Sequence, residues 1–161
     1  MKKSNIFQNQ SQEILSLFES AQDRSKVMCI PIDYAKKDHV AMFCNGNGKI
    51  IRKPFSIKNS PEGKVFLIDQ VRKSCRHHGI SPQHVFYGGE DCGAYADNFI
   101  TALRIENCLV AGVNALDAKK HRENVLASTD RLDLLGISKV LLNCKRSINH
   151  LYPVIGKSDK I

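Results

Sequence analysis

No apolar run in this chain approaches the ~18 consecutive residues of a membrane-spanning helix, so a protein built on such helices is excluded. The opening stretch, MKKSNIFQNQSQ, starts basic but has no apolar core, so no secretory signal peptide is expected. No C-x-x-C pair occurs among the six cysteines, at positions 29, 44, 75, 92, 108 and 144. Several stand beside aliphatics in predicted strands and read as free, buried thiols of a reducing, cytoplasmic compartment; a zinc site is not expected. Internal repeats and low-complexity tracts are absent. Acids are the scarcer charge, with 16 Asp+Glu against 24 Lys+Arg, a net +8. That balance favours a polyanionic partner, most simply nucleic acid. What remains is an ordinary globular composition, 42% hydrophobic and 25% charged over 161 residues. It is enough for one domain with a real core, or one domain plus a short arm.

Residues 1–26 read as a polar arm in which Ile14, Leu15, Leu17 and Phe18 allow one short amphipathic helix. Val27 to Asp33 is an apolar run ending in an acid, a buried strand in which Pro31 is awkward for want of an N–H. His39 to Cys44 is the next strand, Asn45-Gly46-Asn47-Gly48 a hairpin turn, and Lys49 to Ser56 a third strand. Ser60 then caps a helix with Pro61 in its first position, Gly79 closing it, and Val65, Leu67, Ile68 and Val71 as its apolar stripe. Its other side is basic, through Lys64, Arg72, Lys73, Arg76, His77 and His78, a solvated face or a phosphate contact. His84 to Glu90 is a short strand delivering a second acid. A helix from Gly93 to about Glu106, a fifth strand from Cys108 to Asn114, and a basic segment through Lys119, Lys120 and Arg122 follow. The domain extends over 27–148, and 149–161 is a tail.

A last helix opens at Ser128 or Thr129 and carries Asp130 and Asp133, three apart and therefore on one face. Leu134, Ile137 and Leu141 fall on roughly the same side, so these carboxylates stand where the helix meets the core. Two fixed carboxylates repel and need a cation or protons, the hard oxygen donors of a divalent metal site. The plainer reading is acids favoured by the positive end of a helix dipole. The order β-β-β-α-β-α-β-α gives a mixed α/β sheet, an antiparallel three-stranded meander followed by βα units, with helices on both faces. Asp33 and Glu90 both end strands, where open α/β sheets place their sites.

This order and its four acids resemble the RNase H-like fold, in its RuvC-type branch. The local motifs resemble the N-terminal DEDD domain of insertion-sequence transposases related to the Piv/MooV invertases. Ile32-Asp33-Tyr34-Ala35-Lys36 with His39 matches that family's first motif, and Asn59, Glu62 and Gly63 its helix start. Glu90, Gly93 and Tyr95 match the second acid motif, Val113-Asn114 with Lys119-Lys120-His121-Arg122 the strand end and basic segment, and Thr129, Asp130 and Asp133 the final signature. The matches run over roughly residues 27–142. Pro31, Cys92, Ala115 and Leu134-Leu135-Gly136 depart from the family pattern; none removes an acid.

The resemblance implies that Asp33, Glu90, Asp130 and Asp133 hold one or two Mg²⁺ (or Mn²⁺) ions, about 3.5–4 Å apart if two, for phosphodiester chemistry on DNA. Lys36, Lys119, Lys120, Arg122 and Arg131 are the candidate backbone contacts. It also implies a structured guide RNA, and a coiled-coil insertion and C-terminal serine domain that the chain ends before, so a truncated frame or an isolated domain, possibly oligomeric, is expected. Two alternatives stay open: a stand-alone RuvC-like nuclease of Holliday junctions, and a nucleic-acid-binding remnant without catalysis.

Overall fold

The computed structural model describes residues 3–90 and 96–113 (backbone only for 3–11 and 113) and the helical residues Leu134, Ile137, Ser138, Leu141 and Leu142. In chain order the elements are α1 (Lys3–Ala21), β1 (Met28–Asp33), β2 (Asp38–Asn45), β3 (Ile50–Lys58), α2 (Pro61–His78), β4 (Val85–Glu90), α3 (Asp97–Ile105) and β5 (Leu109–Val113). The strands form one sheet in the order β3-β2-β1-β4-β5. β1, β2 and β3 pair antiparallel through short turns, whereas β4 joins β1, and β5 joins β4, in parallel. Each parallel step needs a crossover, and α2 and α3 supply them. This is the mixed α/β sheet expected from the sequence, an antiparallel meander followed by parallel βα units.

The β2–β3 hairpin forms where Asn45-Gly46-Asn47-Gly48 predicts it. The Asn45 Oδ1 accepts the N–H groups of Asn47 at 2.9 Å and Lys49 at 3.1 Å, and Gly48 takes a φ of 89°. Pro31 does sit in the central strand. The ladder to β2 pairs Met28, Cys29, Ile32 and Asp33 but passes over Ile30 and Pro31, so the missing N–H falls where that ladder is interrupted.

β1 is buried on both sides, which is why its sequence reads as a continuous apolar run rather than an alternation. Met28, Ile30 and Ile32 face one layer with Val85, Tyr87 and Val110, covered by Leu67, Val71 and Cys75 of α2 and by Phe99 and Leu103 of α3. Val27 and Cys29 face the other layer with Phe86 and Ala111, covered by Ile14, Leu17 and Phe18 of α1 and by Ile137, Leu141 and Leu142. The N-terminal helix is thus longer than the short stretch expected within the arm, and its apolar face is part of this second layer. It ends at Gln22, which adopts a left-handed φ of 64°. Leu134, Ile137 and Leu141, the apolar side predicted for the last helix, are fully or almost fully buried.

α2 is capped as the sequence predicts. The Ser60 hydroxyl accepts the Gly63 N–H, Pro61 opens the helix, and Gly79 closes it with a φ of 66°. Its stripe differs: the buried run is Gly63, Leu67, Val71 and Cys75, at strict four-residue spacing, Ile68 packs half-buried beside it, and Val65 is 61% exposed. Val65 is two positions from Leu67 and Gly63, about 200° round the helix, so it cannot share their face. Arg72, Lys73, Arg76, His77 and His78 are exposed, while Lys64 pairs with Glu106 at 2.9 Å. Gly63 itself is fixed by space: a Cβ there would lie 1.8 Å from the Lys58 carbonyl oxygen. Residues 91–95, Asn114 and the 149–161 tail lie outside the described residues. Among the described residues no helix is long and apolar enough to cross a membrane.

Because the Lys58 carbonyl belongs to strand backbone that cannot swing aside, Gly63→Ala should lower the unfolding free energy by about 1–3 kcal/mol, measured by urea denaturation.

Candidate metal centre

Asp33 is the last residue of β1 and Glu90 the last of β4. The two strands pair in parallel from Met28↔Val85 to Ile32↔Gly89, so the next step in the same register sets Asp33 beside Glu90. Adjacent strands stand about 4.8 Å apart, so two carboxylates from distant parts of the chain arise at neighbouring positions. Strand alternation puts both on the layer of Cys29 and Phe86, the side that carries α1, Ile137 and Leu141. Both acids are half-buried at the rim of that layer.

Two glycines before Glu90 set how closely β4 is covered. A Cβ on Gly88 would lie 2.6 Å from a methyl of Leu141, so the helix of Leu141 rests directly on the strand. A Cβ on Gly89 would lie 2.3 Å from the Ile32 carbonyl oxygen and 2.5 Å from the Tyr34 ring. Tyr34 therefore folds back from β1 onto β4, on the face of the sheet opposite to the two acids. The Gly-Gly pair inside a strand was the available sign of close approach, and sequence reasoning left it unused. Beside Glu90 a cavity of about 430 Å³ opens between α3 and β5, with Tyr34, Asp97, Thr101 and Arg104 in its wall.

Of the predicted site residues, the structure brings Asp33 and Glu90 together and leaves Lys36 exposed on the loop after Asp33. Asp130, Asp133, Lys119, Lys120, Arg122 and Arg131 lie outside the described residues, as do Gly93, Tyr95 and Thr129. Among the described residues no group of three or more histidines, cysteines or acids stands close enough to hold a metal. The described cysteines, Cys29, Cys44, Cys75 and Cys108, are free thiols.

The DEDD_Tnp_IS110 family model, described as "Transposase", matches residues 30–154. The chain belongs to this transposase family. Asp33 and Glu90 both fall within the matched span. Among solved structures, the catalytic domain of the Mos1 mariner transposase is similar at 15% identity over 98% of this chain and 96% of that one, with a TM-score of 0.44. A second structure of that domain, with raltegravir and Mn, is similar at 15% identity over the same shares and a TM-score of 0.41. No curated protein matches.

In this transposase domain the turn after Asp33 is fastened from two sides. The Ala35 N–H donates to Nδ1 of His39 at 3.0 Å. The Asn59 amide donates to the Lys36 carbonyl at 3.0 Å, and the Asn59 N–H to the Lys37 carbonyl at 2.8 Å. His39 is wholly buried, its ring 5.5 Å from that of Tyr34 and 4.4 Å from that of Phe99. With Nδ1 accepting, the neutral ring carries its proton on Nε2. Burial holds the imidazole pKa below its ordinary value, opposed by the Asn59 side chain and by the charge of Asp38.

The sign of the pH effect follows. Below about 6.5 the unfolded chain takes up this proton, and the folded chain does so only at lower pH. Stability should therefore fall as pH drops through about 6.5 toward the depressed folded value, and thermal melts across pH 5–8 should show a flatter profile for His39→Asn than for wild type.

Proposed function

We propose that Asp33, Glu90, Asp130 and Asp133 form one divalent-cation site, for Mg²⁺ or Mn²⁺, through which this transposase domain acts on DNA phosphodiesters. The single observation that carries the reading is the register of β1 and β4, which sets two carboxylates side by side at the strand ends on the helix-covered layer. The donor set suits the ion: hard carboxylate oxygens, with no thiol or imidazole offered among the described residues at that rim.

The covering helix supports the remaining two acids. Leu141 rests on Gly88, and Leu142 lies 3.9 Å from where a Cβ of Gly48 would be, at the hairpin end of the sheet. The chain leaves β5 at Val113, which pairs with Glu90, so it starts from the acid end. Asp130 and Asp133 precede Leu134 in sequence, and the proposal has this helix run from the strand ends toward the hairpin. Asp133 stands four residues before Ile137 and Asp130 four before Leu134, the spacing at which helix side chains share a face.

When bound, a pair of such ions neutralises charge on the attacking and leaving oxygens of an in-line displacement. The chain's own part is to fix the oxygen donors, to exclude bulk water on the side packed by Leu141, and to hold the nucleic-acid backbone. Lys36, Lys119, Lys120, Arg122 and Arg131 are the proposed phosphate contacts, consistent with a net charge of +8. DNA is the partner proposed for them, and a structured guide RNA would be held by the same salt-sensitive contacts.

Titration of the full chain with Mn²⁺ tests the site. Asp33→Asn and Glu90→Gln should each weaken binding by about tenfold or more. Equal affinity in wild type and both variants would overturn the assignment. On duplex and junction DNA, Mn²⁺-dependent nicking that Asp33→Asn abolishes is the expected result; salt-sensitive binding with no cleavage would favour a non-catalytic role.

A further inference from the structure

We infer that His39 and Asn59 are positioning residues for Asp33, a two-point latch that fixes the turn behind this carboxylate so that it meets Glu90 at one geometry. The inference rests on the divalent-cation reading of Asp33 and Glu90.

Asp33 closes β1, and beyond it the chain leaves the sheet for four residues before β2 begins at Asp38. A side chain at such a point inherits the freedom of the turn that follows it. Here each residue of the turn is accounted for. The Tyr34 ring lies against Gly89, the residue before Glu90. Ala35 gives its N–H to His39, and Lys36 and Lys37 have their carbonyls held by Asn59. His39 and Asn59 come from β2 and from the link between β3 and α2, so the turn is tied to the antiparallel half of the sheet, while Tyr34 ties it to the parallel half. The latch therefore couples the positions of Asp33 and Glu90.

The residue types are those the task requires. The site of His39 is closed by the Tyr34 and Phe99 rings, so its occupant must fill a ring-sized space. It must also offer an acceptor to the half-buried Ala35 N–H, since an amide left unbonded there would draw the turn out of place to find water. A neutral imidazole does both. Phenylalanine would supply only the shape, and asparagine, whose Oδ1 occupies the place of Nδ1, only the acceptor. Asn59 likewise supplies a planar two-hydrogen donor that reaches the Lys36 carbonyl while its own N–H reaches Lys37. A role confined to packing would be served best by phenylalanine at position 39; a role in positioning would be served best by asparagine.

The variants separate these. Mn²⁺ affinity of the full chain is measured for wild type, Asp33→Asn, His39→Phe, His39→Asn and Asn59→Ala, each first shown to be folded by circular dichroism, together with hydrogen exchange at the Ala35 amide. The expected result is that His39→Phe and Asn59→Ala bind Mn²⁺ about tenfold more weakly. His39→Asn should return to within about twofold of wild type, with the Ala35 amide protected in wild type and His39→Asn and exposed in His39→Phe. Should His39→Phe fail to fold, Asn59→Ala decides. Wild-type affinity in both His39→Phe and Asn59→Ala, with Asp33→Asn still defective, would overturn the latch and leave the cation site standing. Absence of Mn²⁺ binding in wild type would overturn the cation site and the latch with it.

Discussion

The parallel pairing of β1 with β4 is the constraint on which the rest of this structure depends. Fifty-odd residues separate the two strands, and only their hydrogen-bonded register makes Asp33 and Glu90 neighbours. Register in a sheet buried on both faces is strongly specified, because a slip of one residue would exchange the two core layers. Met28, Ile30 and Ile32 would then turn toward α1, and Cys29 toward α2. The apolar positions that build the core are thus also what brings two acids to one rim.

Close covering of β4 follows from the same pairing. Gly88 and Gly89 have no side chain to hold their neighbours off, so Leu141 settles on one face and Tyr34 on the other. Both contacts come immediately before Glu90. The result is a strand end that is tightly bounded on each side, with the carboxylate emerging at the edge of the packed region. Arg24 plays a comparable part at the far end of the sheet, where its carbonyl accepts the Gly46 N–H and its guanidinium donates to the Gly46 carbonyl. The hairpin and the N-terminal segment are thereby joined where the sheet would otherwise fray.

Much of this was legible in the sequence, and for identifiable reasons. Asn-Gly-Asn-Gly admits few conformations other than a hairpin, and Ser60-Pro61 with Gly79 marks both ends of α2 through caps that depend on local chemistry alone. Strand order was legible because short turns force antiparallel pairing and intervening helices force parallel crossovers. Val65 was misplaced because an apolar residue near a stripe resembles a member of it, and only the four-residue spacing of Gly63, Leu67, Val71 and Cys75 tells them apart. The partners of Asp33 were harder. That Tyr34 reaches Gly89, or that His39 and Asn59 hold the turn between them, depends on tertiary distances that neither periodicity nor composition encodes.

Magnitudes show why such a rim is affordable to the fold. Two ionised carboxylates held at about the 4.8 Å spacing of adjacent strands repel by roughly 1 kcal/mol in water-like surroundings and about 3.5 kcal/mol at an effective dielectric of 20. Burying one leucine-sized side chain contributes about 1.5–3 kcal/mol. Leu141 and Ile137 alone, both essentially fully buried on the same layer, are therefore of the size needed to offset the repulsion. The packing need not relax to relieve it, because the acids stand at the strand ends and Leu141 rests on Gly88, inside β4. A fold arranged this way can keep like charges close without dispersing them, and a cation placed between them would offset that repulsion. Packing and charge thus fall on different residues of the same strands: Cys29 and Phe86 anchor the layer, and Asp33 and Glu90 stand at its rim.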